Sequence, residues 1–228
     1  MAESNLAQCQ ETIGYTFEDL SLLKQALTHA SVAPTRLKSN ERLEFLGDAV
    51  LGMCICSTLY DQYEDLLEGE MTKIKSTVVS RKTCAEVIRN LELVQYLNLG
   101  GDLGDPTRVP ESVEAAVFEA IVGAMYLDGG FEPANRFILK HMQPFIDEAM
   151  DNTHKQNYKS LLQQHAQRTS SETPEYILLD EQGPDHSKCF EVCVTIGDRR
   201  FPSAWGTSKK EAEQKAAMNA LRELDLSD

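Results

Sequence analysis

The sequence predicts two domains: an all-α N-terminal domain followed by a small α+β domain with the order α-β-β-β-α. Three observations carry this. Residues 1–150 keep apolar side chains at helical spacing almost throughout. The polar stretch 151–156 (Asp-Asn-Thr-His-Lys-Gln) interrupts that pattern and reads as a linker. Beyond it, short β-rich runs at about 175–181, 188–196 and 199–205 are separated by Gly183-Pro184-Asp185 and Gly197-Asp198, which are turn sequences. The boundaries are therefore 1–150, a linker at 151–156, and 157–228.

Taken in order, Thr16-Phe17-Glu18-Asp19-Leu20 opens a helix that runs through Leu22, Leu23, Ala26 and Leu27. A second helix covers 41–61. Glu70 to Leu91 reads as one long helix with Ile74, Val78, Val79 and Val87 apolar. Gly100, Gly101, Gly104, Pro106 and Pro110 mark a loop. A helix over about 111–128 stops at Gly129-Gly130. Pro133 starts another, which fades near Met150. In the second domain, Tyr158 to Arg168 and Ser208 to Leu224 read as helices flanking the three strands.

Composition narrows the classes. At 228 residues the chain has room for one or two domains. It holds no run of 18 or more apolar residues, so no membrane span is expected. The N-terminus lacks the basic and apolar regions of a signal peptide, so the expected location is the cytoplasm. Six cysteines in a chain of this length do not read as a secreted disulfide framework. Cys54 and Cys56 read as thiols of an apolar helix; Cys189 and Cys193 share a strand face, and core packing explains them better than a metal pair. The net charge of −14 is uneven, with −11 over residues 1–156 and −3 over 157–228. Local patches rather than total charge govern contact with a polyanion, so this balance does not exclude RNA.

The densest chemistry lies in Asn40-Glu41-Arg42-Leu43-Glu44-Phe45-Leu46-Gly47-Asp48-Ala49-Val50. Glu41, Glu44 and Asp48 fall at i, i+3 and i+7 and share one helix face. Clustered carboxylates repel one another, and Mg²⁺ or Mn²⁺ relieves that repulsion. A solvated acidic face is the simpler reading, but here the acids interrupt an apolar run. Glu119 is the single charged residue between Ala115 and Leu127. A helix apolar all round is buried, and a carboxylate there must be paired, protonated or bound to metal. Arg42 is one candidate partner; the separate acid stripe favours metal.

The run at 40–50 closely resembles the signature of the ribonuclease III family. The resemblance extends to Leu-Leu-Lys-Gln-Ala-Leu-Thr-His-Ala-Ser at 22–31 and to Glu-Ala-Ile-Val-Gly-Ala-Met-Tyr-Leu-Asp at 119–128. It implies an endonuclease domain in which Glu44, Asp48 and Glu119 are the catalytic residues and hold Mg²⁺, with Mn²⁺ as a substitute. It places Glu41 and Glu68 as accessory acids near the RNA cleavage site and its companion site. It implies a homodimer with Phe45 inserted across the interface, and no membrane or small-molecule cofactor. His29 reads as a structural hydrogen-bonding residue rather than a catalyst.

One position departs from the family. An acidic residue, mostly Asp, usually stands three before the Glu that matches Glu119; here it is Ala116. A methyl group ligates nothing. Glu114 lies five residues before Glu119, roughly 140° round a helix, and is poorly aimed. Ser112, one turn before Ala116, is placed to hold a water. Three readings stay open: a natural variant completed by water, an engineered inactivation, and a protein that binds without cutting.

Residues 158–226 resemble the double-stranded-RNA-binding domain through Tyr-Lys-Ser-Leu-Leu-Gln-Gln, Pro174-Glu-Tyr, Gly183-Pro-Asp-His186 and Ser208-Lys-Lys-Glu-Ala-Glu-Gln-Lys-Ala-Ala217. Ser208-x-x-Glu211 is a capping box. It sets Lys209 and Lys210 at the positive end of a helix dipole, where cations are mildly unfavourable and phosphate is welcome. The resemblance adds Gln163, Gln167 and His186 as minor-groove contacts. Trp205 reads as local packing. The whole pattern implies an Mg²⁺-dependent endoribonuclease that cuts double-stranded RNA to 5′-phosphate and 3′-hydroxyl ends, as in the processing of ribosomal RNA precursors. The alternative is a duplex-binding protein whose cleavage is impaired by Ala116.

Overall fold

A computed structural model describes residues 3–101, 109–154, 158–184 and 187–226. The chain divides into two compact units, Met1–Met150 and Asp151–Asp228.

The first unit is helical. It contains α1 (Glu3–Ile13), α2 (Leu20–Ala26), α3 (Glu41–Gln62), α4 (Glu68–Val78), α5 (Arg81–Asn90), α6 (Glu111–Gly129) and α7 (Phe131–His154), with 3-10 turns at Arg36–Lys38 and Leu93–Tyr96. Helix α1 was not singled out from the sequence; it buries Leu6, Cys9 and Ile13 at helical spacing. Asp19 caps α2 by accepting from the Ser21 amide at 2.8 Å.

The expected helix from Glu70 to Leu91 is two helices. Ser80 is extended (ψ 151) and its hydroxyl accepts from the Thr83 amide, which starts α5 afresh. This break is a capping decision, made without glycine or proline. At the other end, α7 runs to His154 where the reading places a linker from 151, because 151–154 contains neither residue type that ends a helix. Residues 155–157 lie outside the described residues.

The core of this unit is α6, which packs most heavily on α3 and α5. Phe118, Ile121, Val122 and Ala124 are all fully buried. Helix α6 stops at Gly130, whose φ of 81° lies in the left-handed region. Helix α3 is, among the described residues, the one helix long and apolar enough to cross a membrane by length and composition, a test that core helices also pass. Its apolar residues serve two faces. Leu43, Val50, Leu51, Cys54, Ile55 and Leu59 enter the core, while Phe45, Met53 and Tyr60 are exposed.

The second unit comprises α8 (Tyr158–Thr169), β1 (Glu175–Gln182), β2 (Cys189–Ile196), β3 (Arg199–Arg200), β4 (Ala204–Gly206) and α9 (Lys209–Glu223). Strand β2 is central, antiparallel to β1 on one side and to β3 and β4 on the other. The expected third strand is thus two short pieces, with a one-residue register shift between them. Pro202, which has no amide to donate, lies in the gap. Helices α8 and α9 cover one sheet face through Leu162, Val194, Phe201, Ala217, Ala220 and Leu221. Trp205 is 38% exposed and stands opposite Glu191, so local packing does not bury it. Cys193 is buried and Cys189 half-buried; both are free thiols.

Candidate active site and nucleic-acid interface

Two glycines bring the acids of α3 and α6 together. A side chain on Gly47 would run into the Glu119 carbonyl oxygen and come within 2.9 Å of the Gly123 amide nitrogen. One on Gly123 would meet the Leu43 carbonyl and lie 3.1 Å from the Gly47 nitrogen. The two backbones therefore touch at this crossing. Glu44 and Asp48 flank Gly47 on α3, and Glu119 faces them from α6.

The electrostatics record this closeness. The Glu119 carboxyl is pushed up to about 7, first by burial and then by the negative charges of Asp48 and Glu44, with Arg81 pulling the other way. Glu44 is raised by burial, then by Glu41, with Arg81 opposing and Asp48 adding. Cys84, fully buried on α5, is pushed up to about 12 by burial and by the charges of Glu119 and Asp48. The cation beside Glu119 is thus Arg81 and not Arg42, which is exposed. Among the described residues Glu119 has no ion pair.

Among the described residues no three His, Cys, Asp or Glu side chains are gathered into a metal cage. Like charges on facing helices hold such side chains apart unless a cation draws them in. The donor set suits a hard cation: three carboxylates, of which Glu44 and Glu119 are half-buried and raised first by burial and then by neighbouring acids.

The two accessory acids differ in their surroundings. Glu41 opens α3 and is held by Arg36, whose Nη2 and Nε donate at 2.6 and 3.1 Å. That pair holds the Glu41 carboxyl below its usual range. Glu68 is the exposed first residue of α4, and its carboxylate accepts from the Thr72 hydroxyl at 2.9 Å. Lys75 Nζ lies 3.8 Å from where a Gly52 side chain would begin, so α4 returns alongside α3.

Ala116 is half-exposed, one turn before Glu119. Buried Glu114 pairs instead with the exposed Arg89, whose Nε donates at 2.7 Å, a contact the sequence did not announce. His29 is nearer the acids than expected: its charge acts on Glu41 and Glu44, while its Nδ1 shares a 2.9 Å hydrogen bond with the Ser31 hydroxyl.

Phe45 is 82% exposed. Beside it lies an open cavity of about 550 Å³ lined by Leu22, Gln25, Arg42, Leu43, Leu46 and Leu127. A large apolar knob and a cavity on the same surface are the ingredients of a self-complementary contact.

In the second unit, Gln163 and Gln167 are exposed one turn apart on α8. Lys209 and Lys210 are exposed in the first turn of α9, with Lys209 Nζ 5.6 Å from the Phe190 ring centre. The Ser208 hydroxyl accepts from the Glu211 amide at 3.2 Å. The return half of the capping box reaches one residue further back, where the Glu211 carboxylate takes the Thr207 amide at 2.7 Å. Ion pairing with Lys215 and these Thr207 bonds hold Glu211 down at about 2. His186 lies outside the described residues.

Comparison with known proteins agrees with both units. Residues 19–145 match the family model described as ribonuclease-III-like, and residues 158–224 match the double-stranded RNA binding motif. The chain is 48% identical over 223 residues to "Ribonuclease 3" of Rhodopirellula baltica, covering 98% of this chain and 84% of that protein. It is 45% identical over 217 residues to "Ribonuclease 3" of Symbiobacterium thermophilum, covering 94% and 92%. The solved nuclease domain of ribonuclease III from Campylobacter jejuni superposes with a TM-score of 0.55 at 31% identity, covering 60% of this chain and 99% of that one. Its description concerns a region involved in dimer formation.

Proposed function

The chain belongs to the ribonuclease III family, and on that premise we propose that it is an endoribonuclease that hydrolyses phosphodiesters in double-stranded RNA with a divalent cation, Mg²⁺ or Mn²⁺. The observation that carries this reading is Glu119, half-buried, without an ion pair among the described residues, and pressed by Asp48 and Glu44 across the glycine crossing. Glu44, Asp48 and Glu119 would hold the cation. When bound, it would supply charge neutralisation at the phosphate and activation of the attacking water.

The chain's own groups then divide the work. The carboxylates fix where the reaction happens. Glu41, steadied by Arg36, borders the RNA strand at the entrance to the cluster. Gln163, Gln167, Lys209 and Lys210 hold the duplex, and His186 is proposed to join them. Water attacks phosphorus, the bond from phosphorus to the 3′-oxygen breaks, and the 3′-oxygen takes up a proton. The products are 5′-phosphate and 3′-hydroxyl ends.

Two copies are proposed to pair through the Phe45 knob and the neighbouring cavity, forming a two-fold dimer. Ala116 supports a second reading, in which the protein binds duplex RNA and cuts poorly, because a methyl group stands where a fourth ligand would be. The test is incubation of duplex RNA, single-stranded RNA and duplex DNA with the full chain, with Mg²⁺ or with chelator. The nuclease reading expects cutting of duplex RNA alone, only with metal, to fragments with 5′-phosphates. Intact duplex that stays bound under all conditions supports the binding reading.

A further inference from the structure

Three carboxylates that attract a cation also repel the phosphate that must approach it, so the RNA strand needs a positive group beside the cluster. This question rests on the nuclease reading above. Two arginines of this unit are already engaged: Arg36 Nη2 donates to Glu41 at 2.6 Å, and Arg89 Nε to Glu114 at 2.7 Å. Arg81 is different. It is exposed and opens α5, and its charge acts on both Glu44 and Glu119. Among the described residues it makes no ion pair and donates no side-chain hydrogen bond.

Its position follows from how α5 is packed. One turn further along the same face, Cys84 is fully buried, under the charges of Glu119 and Asp48. Ile88, a further turn on, is also fully buried. Helix α5 packs on α6, which carries Glu119, and the stripe Arg81–Cys84–Ile88 runs from exposed Arg81 to the buried Cys84 and Ile88. A guanidinium carries a planar fork of donors that matches phosphate oxygens two at a time. Among the described residues that fork has no protein partner.

We propose that Arg81 binds a non-bridging phosphate oxygen of the RNA strand lying over Glu44, Asp48 and Glu119, and so sets the scissile phosphodiester in place. Arg81 is a substrate-binding residue in this account; the cation is held by the acids without it.

The experiment uses the full chain as parent, Arg81→Ala and Arg81→Lys. Cleavage of a defined RNA duplex gives KM and kcat, calorimetry with Mg²⁺ alone gives metal affinity, and duplex affinity is measured against salt in the uncut Glu119→Gln background. Arg81→Ala should raise KM or lower kcat by roughly tenfold or more. It should lower the salt slope by about 0.9, the value for one phosphate contact. Its Mg²⁺ affinity without RNA should not fall. Arg81→Lys should recover part of the loss. Unchanged kinetics and salt slope in Arg81→Ala overturn the proposal. So does a loss of Mg²⁺ binding that matches the loss of cleavage, because Arg81 would then be shaping the acids. If the parent cuts no duplex, the nuclease reading fails, and the salt slope alone still decides whether Arg81 touches phosphate.

Discussion

Gly47 on α3 and Glu119 on α6 meet backbone to backbone, and no side chain fits between them. The meeting sets the spacing of the acids on the two helices. Gly47→Ala should therefore push α3 and α6 apart, cost about 1–3 kcal/mol or more through overpacking, and lower cleavage. Denaturant unfolding alongside a duplex-cutting assay checks this. Parent-like stability would mean that the helices are not in contact there.

Ala116 lies one turn before Glu119, so an Asp at that position would point toward the same acids. Ala116→Asp should tighten Mg²⁺ binding and raise cleavage, most visibly at low Mg²⁺, because a charged ligand replaces a methyl group. The check is cleavage rate against Mg²⁺ concentration for both forms. No gain at any concentration would mean that the site is completed by another residue. Cutting by the Asp form alone would assign the parent to the binding reading.

Lys209 and Lys210 sit exposed at the capped start of α9. Replacing both with Ala should weaken duplex binding and reduce the salt slope by about one to two, at roughly 0.9 per phosphate contact. Equilibrium binding at a series of salt concentrations reads both quantities. Unchanged affinity and slope would move the RNA face away from α9.

Much of this site was legible because its signals are local. Glu119 is a lone acid in an apolar helix, and burial of α6 makes that informative. The stripe of Glu44 and Asp48 follows directly from helical periodicity. What was not legible depends on contacts across the chain. Glu41 belongs to the same stripe, yet Arg36 claims it. Glu68 reads as a loop acid but is the first residue of α4. The crossing of Gly47 and Gly123 had a signal, two glycines inside strong helical runs, but only the pairing of α3 with α6 gives it meaning. Arg81 and the Arg89 partner of Glu114 were missed for the same reason. The break at Ser80 is set by one side-chain cap, which periodicity does not register.

Phe45 carries the proposed dimer contact, with an exposed ring beside a cavity of about 550 Å³. Phe45→Asp should convert a dimer to a monomer at micromolar concentration and leave helix content unchanged. Sedimentation velocity together with circular dichroism distinguishes the outcomes. A variant that sediments as the parent does would place the interface elsewhere.

The central claim is that Glu119, with Glu44 and Asp48, holds the cation that cutting requires. The direct test is the single-turnover cleavage rate of a duplex RNA by parent and Glu119→Gln in Mg²⁺, with duplex affinity measured in parallel. Gln keeps the shape and removes the charge. The account predicts a fall in rate of about a hundredfold or more, the scale of losing one group that stabilises a transition state, with duplex affinity within about twofold because the second unit carries most of it. A Glu119→Gln protein that cuts at the parent rate would contradict the assignment.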